Sequence, residues 1–433
     1  SSIGGPRFFR PPVPRPSDRP AGGPPRRVWG PVRACAWQTL PRGWRCRSRQ
    51  CGRGGAVSRP AGGEEAPFSM GGPEADRREK FLEPPAKKPR LEGGKPAPRG
   101  FAIGRCLAGM GRQEHGGPPS PFQFVQMADT QFGMEDSFKG RVGSGWGNEV
   151  RLFRQAIDVV NRIKPAFAIV CGDLIDEWPA EEYGREGADV EKREQQERDF
   201  KAAIQLVDAD IPLLCVCGNH DIGDRPNSAT IRRFQLNFGD DYFSFWCHGA
   251  KCLVVNSSLW KDDRDAQPQR AEMDAWLDRE LAEVRPSGDE PPRPVLVFSH
   301  IAPFIYDAHE KDEYFNLDSS LRLPLMEKLR AHGAVGWFCG HYHRNAGGIF
   351  RNCDGQELEV VVTGAVGVQI TDKEGGEVLG KSGIGGSSIG DEVSGLRLVR
   401  VGADGRLSHR WQTFAELKRE AAAASSSSSG LGR

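Results

Sequence analysis

Five times between positions 121 and 345 a short apolar run stops at a cluster of polar residues, and this repetition limits the possible folds more than any other feature of the chain. Phe122–Ala128 ends at Asp129-Thr130-Gln131, and Ala166–Cys171 ends at Gly172-Asp173. Pro212–Cys217 runs into Gly218-Asn219-His220-Asp221, Pro294–Phe298 into Ser299-His300, and Ala334–Cys339 into Gly340-His341-Tyr342-His343. Bounded apolar runs of this length predict buried strands. Between them the period lengthens. Residues 148–164 set Val150, Phe153, Ile157, Val160 and Ile163 on one helical face, closed by Pro165. Further helices are predicted over 190–207, 271–284 and 319–332, and a hairpin over 242–256. Strands alternating with helices predict an α/β domain, in which ligands bind at the carboxyl ends of the strands. All five polar clusters then gather at one sheet edge.

The pattern does not fill the chain. Only 38% of the 433 residues are hydrophobic, mean hydropathy is −0.53, and the dilution is local. Residues 1–120 hold 23 Lys and Arg against 9 Asp and Glu, leaving 36 basic and 49 acidic residues to the remainder. This first segment, rich in Gly, Pro and Arg, has no sustained apolar period and is expected to be disordered. Three readings of it stay open: a gene-model extension (the first Met is Met70), a nuclear localisation signal at Lys87-Lys88-Pro89-Arg90, or a basic arm for nucleic acid. The expected organisation is a tail over 1–120, a catalytic domain over 121–415 and an Ala/Ser-rich disordered tail over 416–433. No apolar run is long enough to span a bilayer. Cys171, Cys215, Cys217, Cys252 and Cys339 lie inside apolar runs, which suits a reducing compartment and a cytoplasmic location. Cys35, Cys46 and Cys51 lack the CxxC spacing of a structural zinc site.

The clusters offer carboxylate, amide and imidazole ligands of the kind that hold Mn, Fe, Zn or Mg. Two such cations about 3.5–4 Å apart clamp the attacking and leaving oxygens of an in-line displacement. In order, the clusters match the D-x-H, G-D, G-N-H-D, H and G-H-x-H pattern, and over 121–415 the chain resembles the calcineurin-like metallophosphoesterase superfamily. More narrowly it is similar to animal serine/threonine-protein phosphatases of that type. The resemblance implies two mixed β-sheets flanked by helices, with the metal site at the strand C-terminal ends. It implies that Asp129, Gln131, Asp173 and His343 hold one divalent cation. Asp173, Asn219, His300 and His341 would hold the other, with Asp173 bridging. His220 would be the general acid, oriented by Asp221. The implied partner is a phosphoprotein, with a signalling kinase of the Akt family as the candidate.

Gln131 stands where the superfamily usually has His. A neutral amide oxygen makes the first site richer in oxygen and favours Mn or Mg over Zn. Each cluster alone has a plainer reading: an Asp or Asn at a strand end caps the next helix, and Gly marks turns. All five in order at strand ends carry the chemistry. Arg344, beside His343, is a candidate phosphate contact through its guanidinium fork. A phosphodiesterase or nuclease on the same metal frame, or a phosphoprotein-binding scaffold, are the alternatives. Asp176 excludes a purple-acid-phosphatase-like site, which needs Tyr three residues after the bridging Asp.

Overall fold

The computed structural model describes residues 119–141, 145–182, 184–284, 293–372, 387–391 and 393–420. The expectations for residues 1–118, including the basic run at 87–90 and the three early cysteines, lie outside the described residues, as does the chain after 420.

The first strands are β1 (Phe122–Met127), β2 (Phe167–Cys171), β3 (Leu213–Val216), β4 (Phe243–Cys247), β5 (Ala250–Val254) and β6 (Val295–Phe298). They are followed by β7 (Ala334–Cys339), β8 (Ala346–Arg351), β9 (Glu357–Val362), β10 (Gln369–Asp372), β11 (Ser387–Gly390), β12 (Gly395–Val401) and β13 (Leu407–Thr413). A five-stranded sheet has the order β13-β12-β1-β2-β3 and a six-stranded sheet the order β4-β5-β6-β7-β9-β8, while β10 and β11 form a separate ribbon. Strands β1, β2 and β3 are mutually parallel, as are β5, β6, β7 and β9. Antiparallel strands finish each sheet. The α/β domain expected from the alternation forms as the two mixed sheets that the resemblance implies, so the five polar clusters lie at the strand ends of two sheets and not at the edge of one.

The parallel strands are buried on both faces, which explains their unbroken apolar character. Between the sheets lies an aromatic cluster. The Phe124 ring stacks on Phe167 at 4.8 Å and meets Phe298 and Phe338 edge-on at 5.5 and 5.1 Å. Such pairs add about 0.5–1.5 kcal/mol each beyond their area burial. They tie β1 and β2 to β6 and β7, the strands whose ends carry the polar clusters. On the outer faces the helix Gly147–Ile163 buries Phe153, Ile157 and Val160, and Ser319–Ala331 buries Met326 and Leu329.

Helix ends depart from expectation for local reasons. The helix Val190–Ile204 stops short of 207 because the Asn161 side chain donates to the Leu206 carbonyl at 2.8 Å and accepts from the Asp208 N–H at 2.9 Å. The helix Gln267–Glu283 begins four residues earlier than the apolar pattern, with a proline in its first turn, where the ring's fixed φ is pre-organised. Helix also continues over 414–420, and Phe414 and Leu417 are buried in the main core. The folded domain thus passes the expected boundary at 415.

Candidate metal centre

Five of the seven residues expected to face a metal have left-handed backbone: φ is 52° at Asp129, 34° at Gln131, 51° at Asp173, 71° at His341 and 53° at His343. Among the described non-glycine residues only Lys164 and His248 share this state. A non-glycine residue held there costs on the order of 1–3 kcal/mol, and such strain clusters at functional sites. Local order comes from the strand ends beneath: the Asp129 N–H donates to the Gly172 carbonyl at 3.0 Å, and the Gln131 N–H to the Asp173 carbonyl at 2.9 Å. Gly172, with φ 84°, supplies the turn at β2. Gly218 serves differently. Its φ is −105°, but a Cβ there would collide with the carboxylate and main-chain nitrogen of Asp173.

The strand ends bring two buried groups together, Asp173–His300–His341 and Asp129–Asp173–His343. In each, the potential ligand atoms lie within 4.8 Å of one another, and Asp173 belongs to both. Every imidazole is oriented by a main-chain carbonyl on one nitrogen. His300 Nδ1 donates to the Cys171 carbonyl at 2.8 Å and His343 Nδ1 to that of Val368 at 2.9 Å, while the Tyr314 carbonyl lies 3.4 Å from His341 Nε2. This is the arrangement that fixes metal-binding histidines. The opposite nitrogens of His300 and His343 face carboxylates, at 3.2 Å from Asp173 and 3.4 Å from Asp129. Asn219 donates through Nδ2 to Asp224 and to the Tyr314 hydroxyl at 3.0 and 2.9 Å, which turns Oδ1 toward His300 Nε2 at 3.0 Å.

Charge and burial agree with a cation site. Burial drives His341 well below its ordinary value and His343 to about 4, so both are neutral at pH 7, as ligands must be. Burial also lowers His300, but the Asp173 charge and hydrogen bond outweigh it and lift the imidazole to about 9. Asp173 shows the reverse balance. Burial raises it, yet the charges of His300 and His220 hold it below the usual carboxylate range. Burial raises Asp129 well above that range. The buried Gln131 Oε1 has no hydrogen-bond partner, although Nε2 donates to Asp176 at 3.2 Å. An orphaned amide oxygen on a residue that lines the same cleft as Asp173 and His343 is an open ligand position. The donor set fits two divalent cations.

His220 stands apart from both groups, and the expectation that Asp221 orients it is corrected here. The buried Asp221 carboxylate accepts from the N–H groups of Gly218 at 2.8 Å and Leu174 at 3.1 Å, closing the strand-to-helix turn. Burial, aided by the Asp173 charge, pushes this carboxyl up to about 7. His220 Nδ1 instead lies 2.6 Å from the Asp176 carbonyl, and its ring packs on Trp178 with centroids 4.0 Å apart. Burial lowers its pKa, but the carboxylates of Asp173 and Asp176 outweigh that and favour the imidazolium. The buried Arg193 guanidinium pins this turn by donating to the carbonyls of Glu177, His220 and Asp221.

Asp176, Trp178, Arg193 and Tyr314 were not singled out as contributors to the site by the sequence motifs. Arg193 reads in sequence as one charge of a charged helix, and Tyr314 lies in an irregular loop with no motif. The guanidinium of Arg344 lies 5.0 Å from the Tyr342 ring centroid. The centre opens into a cleft of about 250 Å³, where His220, His341 and His343 meet apolar walls from Met134, Phe138, Phe315 and Ile370. A larger cleft of about 710 Å³, beside Arg162, Arg400 and Arg410, contains none of the metal-facing residues.

The calcineurin-like phosphoesterase family model matches residues 122–345, a span holding His220 and every residue expected to face a metal. Serine/threonine-protein phosphatase CPPED1 of Bos taurus is 36% identical over 322 residues, covering 73% of this chain and 91% of that protein. Its counterparts in Mus musculus and Danio rerio are 36% and 35% identical over 324 and 319 residues, covering 73% and 72% of this chain and 91% of each protein. A match of this depth, spanning nearly the full length of those relatives and every residue expected to face a metal, places the chain in the calcineurin-like phosphoesterase family.

Proposed function

We propose that the protein is a metal-dependent phosphomonoesterase that hydrolyses phosphoserine or phosphothreonine in a protein substrate. One observation carries the reading: Asp173 is common to both ligand groups, while His220 sits beside it in the cleft with Nδ1 engaged by a carbonyl. Asp129, Gln131, Asp173 and His343 would hold one cation, and Asp173, Asn219, His300 and His341 the other, with Mn favoured by the oxygen-rich first set. Two divalent cations, when bound, polarise phosphoryl oxygens and acidify water so that hydroxide is available near neutral pH.

The chain's own residues supply the rest. Left-handed backbone at Asp129 and Asp173 turns their carboxylates into a buried pocket that excludes bulk water. The Asp176 carbonyl accepts the Nδ1 proton of His220, leaving Nε2–H to protonate the departing seryl or threonyl oxygen. Trp178 restricts the tilt of that ring. The similarity to animal protein phosphatases supports a phosphoprotein over other monoesters. The test compares a phosphoserine peptide, an aryl phosphate and a bis-aryl phosphodiester, each with and without Mn²⁺. Mn²⁺-dependent turnover of the two monoesters is expected. Turnover of the diester alone would replace this reading with a phosphodiesterase.

A further inference from the structure

We propose that the Asp176 carboxylate is a positioning residue that orients the Gln131 carboxamide and so sets the affinity of the first cation site. The inference rests on the reading of Gln131 as metal-facing, and goes beyond it by assigning what makes an amide competent there. A carboxamide has two ends of nearly equal size, and only one can serve a cation. The oxygen is a ligand; the NH₂ group would point two positive hydrogens at the ion. A neutral imidazole meets the same requirement through its tautomer, which an acceptor on the far nitrogen sets. A chain with Gln therefore needs an acceptor on the nitrogen side.

Asp176 is that acceptor. Gln131 and Asp176 are both buried, at 3% and 6% exposure, and Gln131 Nε2 donates to Asp176 Oδ1 at 3.2 Å. Reversing the amide would set Oε1 against a carboxylate oxygen in a buried site, where an unmatched polar pair is costly. The carboxylate is itself pinned, because Oδ2 accepts the Ser137 hydroxyl at 2.5 Å. Ser137 in turn accepts from Lys192 Nζ at 3.3 Å, and Lys192 pairs with Glu177 at 2.9 Å. The second site uses the same device: Asp224 and Tyr314 accept from the Asn219 NH₂ group and turn its oxygen inward. The same Asp176 Oδ1 lies 3.8 Å from His220 Nδ1 and favours its imidazolium, but it does not take that ring's hydrogen bond. That nitrogen is already held by the residue's own carbonyl at 2.6 Å.

The test titrates the metal-stripped full chain with Mn²⁺ by calorimetry, so that its readout is independent of turnover. Asp176→Ala is expected to weaken one of the two sites by about 10–100-fold, the range typical of residues that hold a ligand in place. Asp176→Asn keeps an oxygen acceptor and should bind within a few-fold of wild type. In a Gln131→Ala background, Asp176→Ala should add almost nothing, because the group it orients is gone. Asp176→Ser, which can still meet Ser137 but cannot reach Gln131, stands in should the Ala protein not fold. Wild-type binding by the Ala or Ser protein would overturn the proposal. So would Asn binding as weakly as Ala, since charge and not hydrogen-bond acceptance would then be at work, or an undiminished loss in the Gln131→Ala background. Gln131→Ala alone separates the two levels: if it binds both ions normally, the ligand reading of Gln131 has failed; if it loses one while Asp176→Ala does not, only the present proposal has.

Discussion

Strands β1, β2 and β3 of the five-stranded sheet end in oxygen donors, Asp129, Gln131, Asp173 and Asn219, whereas β6 and β7 of the six-stranded sheet end in His300, His341 and His343. Each buried ligand group draws on both sheets. The sheets are also tied at that edge: His300 Nδ1 donates to the Cys171 carbonyl across the sandwich, and the His341 N–H donates to the Asp129 carboxylate at 3.1 Å. The oxygen side supplies negative charge and the shared carboxylate. The imidazole side supplies nitrogen donors held by carbonyls. Neither sheet makes a site alone, so cation binding is coupled to closure of the sandwich.

The sharpest attack on this division is Asp173→Asn, which removes the carboxylate common to both groups. Both cations and turnover should be lost together, read by metal content and by hydrolysis of a phosphoserine peptide. A protein with two cations and normal rate would show that the oxygen side does not bridge. His220→Ala comes next. His220 lies on the oxygen sheet but outside both ligand groups, so metal content should stay intact while phosphoserine hydrolysis falls by about 10²–10⁴-fold. The loss should be far smaller on nitrophenyl phosphate, whose phenolate leaves without a proton. Equal losses on both substrates would mean that His220 positions phosphate.

Gln131→His places an imidazole on the oxygen side and blurs the contrast directly. Metal preference should move from Mn or Mg toward Zn or Fe, with a moderate gain in affinity at the first site. An unchanged preference across the four metals would remove Gln131 from the ligand set. The smallest effect concerns protons. Asp173 lifts His300 to about 9 in the metal-free protein, so that imidazole is protonated at pH 7. Loading the second site must displace this proton, which makes Mn²⁺ affinity rise with pH toward 9 and releases about one proton from His300 at pH 7. Calorimetry in buffers of different ionisation enthalpy measures it. No proton release would mean that the imidazole side is neutral before the metal arrives.

The strand ends were legible because a buried parallel strand needs a continuous apolar run and a ligand-bearing loop breaks it abruptly. Asp129, Asp173, Asn219, His300, His341 and His343 were found by that break, and the structure brings them together as expected. The helix Gly147–Ile163 was legible from its apolar face and its proline stop. The partner of His220 was not. Asp221 is adjacent in sequence, and adjacency suggested a pair, but in a turn closed by the Gly218 and Leu174 N–H groups its carboxylate is occupied. Asp176, 44 residues away from His220 in sequence, reaches it through a main-chain carbonyl, which no side-chain pattern encodes.

What the sequence by itself determined is the list of donors and their place at strand ends, because alternation, burial and the interrupting polar residues are local properties. Local spacing does not say which donors come within reach of one another, which amide oxygen lacks a partner, or which carbonyl holds each imidazole. Those were decided by the packing of Phe124 and Phe167 against Phe298 and Phe338, which sets one sheet over the other and brings strand ends more than a hundred residues apart into hydrogen-bond range. The left-handed backbone at Asp129, Asp173 and His343 belongs to the same level: Asp and His tolerate it better than most residues, but local sequence alone does not select it.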